Sequence, residues 1–124
     1  IKWRVIVLSA CYSGGFIDAL QNDHTLVITA AAADKPSFGC ADNNDFTYFG
    51  EAYFKEALPR STGFVEAFSV AESIIKDWEA REQKDHSHPQ IAHGNAILEQ
   101  LEKWRAQPAA SGQSLSALPA ITDR

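Results

Sequence analysis

The chain has 124 residues, 45% of them hydrophobic and 10% aromatic, the composition of one ordinary globular unit or part of one. Its formal net charge of −5, with eleven Lys and Arg scattered singly, excludes a nucleic-acid surface built on a basic stripe. No apolar run approaches the roughly 18 residues of a membrane span, and no secretory signal pattern opens the chain, so the compartment is left open.

The chain starts on Ile1-Lys2-Trp3-Arg4, inside a predicted strand, and it contains no methionine. Both features predict a portion of a longer protein. Val5–Ser9 is a short apolar run ended by a Ser/Gly turn, which suits a strand buried on both faces. Ser13 to Gly15 then opens a short helix through Phe16, Ile17 and Leu20. Leu26–Ala31 is a second run of strand length. From Ala32 to Asn44 the composition is that of a long loop, with Pro36 and several Asp and Asn.

Asp45 is the expected N-cap of a helix through Phe46, Phe49, Tyr53 and Ala57, ended by Pro59. Phe64, Phe68, Ala71, Ile75 and Trp78 step by four, three, four and three, an amphipathic stripe that must face a core. Pro89–Ala92 is a weaker strand. Gly94-Asn95 leads into a last helix with Ile97, Leu101 and Trp104 on one face. From residue 108 to 124 the chain is rich in Ala, Ser, Gly and Pro and has no period, so it reads as a tail, leaving residues 1 to 107 as the folded domain. Apolar strands alternating with amphipathic helices predict an α/β fold: a three-layer, parallel-type sheet with helices on both faces.

In such sheets ligands gather at the carboxyl ends of the strands. Cys11 sits at such an end, in "VIVLSACYSGG". A helix that starts two or three residues later favours the thiolate through its free N–H groups. Gly14 and Gly15 allow a sharp turn, and backbone N–H groups in that turn are candidate oxyanion donors, Gly14 among them. Local pattern alone also suits a small buried core thiol. Cys11 and Cys40 lack the spacing of a zinc site; the sequence also allows them to pair as a disulfide, and both are read as free thiols.

Ser9-Ala10-Cys11-Tyr12-Ser13-Gly14 resembles the nucleophile turn of the legumain family, the asparaginyl-endopeptidase branch of the caspase-like cysteine peptidases. There a strand runs into Ala-Cys-x-Ser-Gly and the Cys is the nucleophile. "VITAAAADKPSFGCADNNDFTYFGE" resembles the family's Thr-Ala-Ala, its loop with Ser-aromatic-x-Cys, an Asp, and Thr-Tyr-x-Gly-acid. Pro89-Gln90-Ile91 resembles the final sheet strand of bacterial-type members, so the likeness covers about residues 3 to 106. It implies a caspase-like fold whose N-terminal strands are missing here, and a Cys-His dyad whose His stands in a His-Gly motif upstream of the Cys. Only ten residues precede Cys11 and none is His, so the base is expected in the missing N-terminal half of the same domain. The chain alone is expected to be inactive.

The resemblance also implies a pocket for the residue before the scissile bond. In the family it combines an upstream Arg, an acid just after the Cys, a loop Ser, and an acid after Tyr-x-Gly. Carried over, the Ser is Ser37 and the second acid is Glu51, while Tyr12 replaces the acid after the Cys. Thr29, Ala30 and Ala31 are expected to form the backbone edge along which an extended peptide lies. Cys40 is expected to be structural, and Asp42 to cap a turn. Among the histidines, His24 is expected in a solvated turn. His86 and His88 lie in a polar loop without a third metal ligand, and His93 is a strand-end residue despite its His-Gly dipeptide. No metal or cofactor is required.

These readings predict a cysteine endopeptidase acting on a peptide or protein by thiolate attack. A transamidase or ligase using the same acyl-enzyme, and a non-catalytic peptide-binding domain, are the alternatives.

Overall fold

The computed structural model describes residues 1–39 and 46–106. The expectations for Cys40, Asp42, Asp45 and the tail at 108–124 lie outside the described residues. β1 (Arg4–Leu8) and β2 (Thr25–Thr29) pair in parallel, in register from Arg4 opposite Thr25 to Leu8 opposite Thr29. A parallel pair needs a crossover of a dozen or more residues. It is supplied by a 3₁₀ turn at Ser13–Phe16 and the short α1 (Ile17–Leu20).

β3 (Gln90–His93) pairs with the other side of β2, from Thr29 opposite Gln90 to Leu26 opposite His93. All three expected strands are therefore present in one sheet, in the order β1-β2-β3 and displaced by about one residue. The sheet is mixed rather than uniformly parallel. The chain comes back to the carboxyl end of β2 before Gln90, so β3 must run antiparallel.

β2 is the centre of the molecule, and Thr25, Leu26, Val27, Ile28 and Thr29 are all fully buried. That matches the unbroken β-branched run expected of a strand paired on both edges. Leu26, Ile28 and Ala30 join one core cluster with residues from the helices. The first of these helices is α2 (Tyr48–Gly50), which widens into a π-helical stretch at Glu51–Ala57 and ends in a 3₁₀ turn at Leu58–Arg60 that contains Pro59. It starts at Thr47, whose hydroxyl accepts the Gly50 N–H at 2.9 Å, so Thr47 is the cap. Phe49 and Tyr53 stack at 5.6 Å in the core. The buried Tyr53 hydroxyl donates to the Phe64 carbonyl at 2.9 Å, and burial pushes its pKa well above the ordinary tyrosine value.

α3 (Phe64–Arg81) buries Ala67, Phe68, Ala71 and Ile75, with Phe64 and Trp78 partly buried against the same core. Each large side chain fully withdrawn from water contributes about 2 kcal/mol. α4 (Asn95–Ala106) buries Ile97 and partly covers Leu101. Trp104, expected on that face, is instead 45% exposed. It lies one turn beyond the residues that reach the core, beside a groove it shares with Phe64 and Leu101. α1 packs against β2. Among the described residues the result is a mixed α/β domain of three strands and four α-helices, consistent with part of a caspase-like fold.

Candidate active site

β1 ends at Leu8, and the Ala30 N–H donates to the Leu8 carbonyl at 2.9 Å as the last rung of the β1–β2 pair. Three residues later Cys11 is exposed at the carboxyl edge of the sheet, with a free thiol. Tyr12 follows in the left-handed region, at φ 59° and ψ 18°, and turns the chain into the 3₁₀ segment. The core reading of Cys11 fails on this exposure.

The loop from Ala32 to Ser37 wraps over the turn and is tied to it directly. The Tyr12 N–H donates to the Lys35 carbonyl at 2.8 Å. The Ser37 N–H donates to Cys11 Sγ at 3.2 Å, the thiol faces the Ser37 carbonyl at 3.4 Å, and the Ser37 hydroxyl is 3.9 Å from the sulfur. Ser37 is itself buried, so this donor is fixed by packing. The resemblance implies a pocket role for Ser37. The structure adds that its backbone touches the sulfur.

Gly14 serves the turn but not the oxyanion. Its N–H donates to the Ala31 carbonyl at 2.8 Å, so it is not available to a substrate. Glycine is required because a Cβ there would lie 2.7 Å from Ala33 N and 2.9 Å from Ala31 O. Among the described residues, no backbone carbonyl takes the Cys11 N–H, which makes it a candidate donor beside the sulfur. Ser13, next in the turn, is fully buried, and among the described residues its hydroxyl has no partner.

Thr29 and Ala30 are not an open edge. Thr29 is paired with Leu8 on one side and Gln90 on the other, and both residues are buried. Their backbones are already used in the ladder, so an extended peptide cannot pair with them. Tyr12 is 54% exposed beside the thiol. Glu51 is half-buried and is not among the hydrogen-bond partners of the Cys11 sulfur. It is connected to the site one step away: its N–H donates to the Thr47 carbonyl at 2.9 Å, and the Thr47 hydroxyl lies 2.7 Å from that of Ser9.

The histidines fall into two groups. His24 packs its ring edge-on to Trp3 at 5.0 Å and is partly buried, not solvated. His93 stands opposite Leu26, at the end of β2 remote from Cys11. Three residues of strand separate that level from Thr29, roughly 10 Å, which removes His93 as a base. His86 and His88 lie at the carboxyl edge, before β3, with their rings 4.3 Å apart. Cys11 follows β1, on the other side of β2, and among the described residues the hydrogen bonds of its sulfur are with Ser37.

Sequence reasoning missed Glu79. It is 1% exposed, and one of its carboxylate oxygens accepts both His86 Nδ1 at 2.8 Å and the Ser87 N–H at 2.9 Å. A carboxylate only accepts, so Nδ1 carries the proton. The signal was in the sequence: Glu79 continues the stripe of Phe68, Ala71 and Ile75 by one more step of four. An acid on a buried stripe needs a partner. Among the described residues, no group of three or more His, Cys, Asp or Glu converges on a metal site.

A model of the Peptidase C13 family matches residues 1–99. No curated protein matches the chain. The matched span contains the whole sheet, the Cys11 turn and the Ser37 loop, and on that match the chain belongs to the Peptidase C13 family, the legumain family of cysteine peptidases.

Proposed function

We propose that this chain supplies the nucleophile of a cysteine endopeptidase, and that Cys11 acts as a thiolate on a peptide carbonyl. The observation that supports this most is the exposed sulfur with the buried Ser37 N–H directed at it from 3.2 Å. In this reading the thiolate attacks the carbonyl carbon, and the oxygen takes up the displaced electron pair facing the Cys11 N–H. Collapse breaks the C–N bond, and the departing amine takes a proton from the protonated base. Water then adds to the thioester as the base removes its proton, releasing the acid and restoring the thiolate.

The base in this proposal is a histidine of the protein outside these 124 residues. In support, His24 packs on Trp3, His93 stands at the far end of β2, His86 is bonded to Glu79, and among the described residues the hydrogen bonds of the Cys11 sulfur include no histidine. The pocket for the residue before the scissile bond is proposed to use Ser37, Tyr12 and Glu51, from the loop, the turn and the start of the π-helical stretch.

The test uses the protein with its upstream sequence and a quenched fluorescent peptide library. Cys11→Ala is expected to reduce cleavage to background while the fold persists, because an exposed thiol contributes little packing. Iodoacetamide is expected to label Cys11 faster than a free cysteine at neutral pH. Cleavage retained in Cys11→Ala would sink the proposal. Full activity from residues 1 to 124 alone would sink the upstream base.

A further inference from the structure

Glu79 has no part in the chemistry proposed above, yet among the described residues it is the one charged side chain that is buried. A buried carboxylate is costly unless its hydrogen bonds are met. Here they fold a whole segment around it. The Lys84 N–H donates to the Glu79 carbonyl at 2.8 Å, and Gln83 takes a left-handed φ of 60° to close that turn. His86 Nδ1–H and the Ser87 N–H then converge on the carboxylate. Ser87, 2% exposed, is left with its carbonyl directed at the sheet edge, where it accepts the Ala32 N–H at 2.9 Å.

Ala32 is the first residue of the loop that ends on Cys11. That loop has no strand or helix of its own, and Ala33 and Asp34 are exposed. Its order comes from a short series of bonds: Ala32 to Ser87, Lys35 N–H to the Ala32 carbonyl at 3.2 Å, Tyr12 N–H to the Lys35 carbonyl, and Ser37 N–H to the sulfur. We infer that Glu79 and His86 are positioning residues for the nucleophile, acting through Ser87 and the Ala32–Ser37 loop to hold the Ser37 N–H against Cys11 Sγ. The inference rests on Cys11 being the nucleophile. Without the carboxylate, the 86–87 segment loses both side-chain tethers, Ala32 loses a fixed acceptor, and the donor at sulfur is anchored from one side only.

The experiment uses the protein with its upstream sequence and three variants: Glu79→Gln, Glu79→Ala and His86→Ala. Two readouts are taken on the folded fraction: kcat and KM on one peptide, and the rate of iodoacetamide labelling at Cys11 followed by mass spectrometry. Glu79→Ala is expected to lower kcat about 10-fold or more with a smaller change in KM, and to slow labelling in parallel. Glu79→Gln keeps an oxygen that accepts both donors and is expected to stay within about 3-fold of the parent. His86→Ala removes one of the two donors and is expected to fall between them, and it serves if Glu79→Ala does not fold. A folded Glu79→Ala or His86→Ala with parental kcat and labelling rate would overturn the inference, as would Glu79→Gln failing as badly as Glu79→Ala. Labelling needs no turnover, so a protein that cleaves nothing removes the peptidase reading while the positioning is still measured.

Discussion

The two ends of β2 are built on opposite plans. At the amino end, polar groups are matched to partners. Asn22 Oδ1 accepts the His24 N–H at 2.8 Å and the Thr25 hydroxyl at 2.9 Å. Asp23 Oδ1 accepts the Asn95 N–H at 3.1 Å and the Ala96 N–H at 3.4 Å, and its carbonyl accepts the Ile97 N–H at 3.0 Å. One residue thus caps α4 from a distant part of the chain. At the carboxyl end, Cys11 is exposed, Tyr12 holds a left-handed backbone without being glycine, and the buried Ser13 hydroxyl has no partner among the described residues. Local rules for stability are followed at one end and broken three times in succession at the other. Such departures concentrate where a site is set up for function.

The largest expected effect is at the well-matched end. A Cβ on Gly94 would lie 2.4 Å from the Asp23 Cα and 2.7 Å from its Oδ1, so Gly94→Ala must push the two backbones apart and spoil the α4 cap. Overpacking and the lost cap together are expected to cost about 3 kcal/mol. Asp23→Ala removes the cap without the clash and is expected to cost about 1–2 kcal/mol. Urea unfolding of both variants checks the order. Gly94→Ala costing no more than Asp23→Ala would mean that this junction is loose, and the contrast between the two ends would lose its stable side.

That contrast was only half legible in the sequence. The strands were readable because Val5 to Leu8 and Leu26 to Ile28 are unbroken apolar runs, and α3 because its stripe is long and regular. Cys11 was readable as a strand-tip residue for the same reason. The direction of β3 was not, since a four-residue strand has no polarity of its own and takes it from where the chain re-enters. The role of Gly14 was misread because a turn glycine and an oxyanion donor look alike until its N–H is seen bonded to Ala31. Thr29 and Ala30 were assigned to an open edge because pairing on both sides of β2 depends on β3, a tertiary fact. Asp23 was invisible as an anchor for a related reason, and Glu79 was legible as an acid on a buried stripe but not by its partners. Asp23 finds its partners more than seventy residues away, and Glu79 needs the chain to fold back before His86 and Ser87 arrive.

The next effect is smaller and opposite in sign. Ser13 is fully buried and its hydroxyl meets no partner among the described residues. Replacing an unsatisfied buried hydroxyl with a methyl removes a desolvation cost, so Ser13→Ala is expected to stabilise residues 1–124 by about 1 kcal/mol. The same variant made with the upstream sequence sharpens the comparison. If that sequence gives the hydroxyl a partner, Ser13→Ala is expected to be neutral or destabilising there. Destabilisation in residues 1–124 alone would show that the hydroxyl is already satisfied, and one of the three departures at the Cys11 end would disappear.

Tyr12 has the smallest expected effect on stability. A left-handed backbone at a non-glycine residue costs about 1–2 kcal/mol, so Tyr12→Gly relieves strain in the folded state. Glycine also has more freedom in the unfolded chain, which returns roughly 0.4–1 kcal/mol of that gain. The tyrosine side chain is 54% exposed, so its loss removes little burial. The balance is a stabilisation of a few tenths of a kcal/mol, readable as a small rise in the urea midpoint with an unchanged slope. If Tyr12 lines the pocket as proposed, the same change should lower kcat/KM several-fold in the protein with its upstream sequence, with KM carrying the larger share. Stability rising while activity falls is what a strained residue kept for its side chain produces. Stability falling instead would mean that the left-handed turn is not strained at all, and a parental kcat/KM would remove Tyr12 from the pocket.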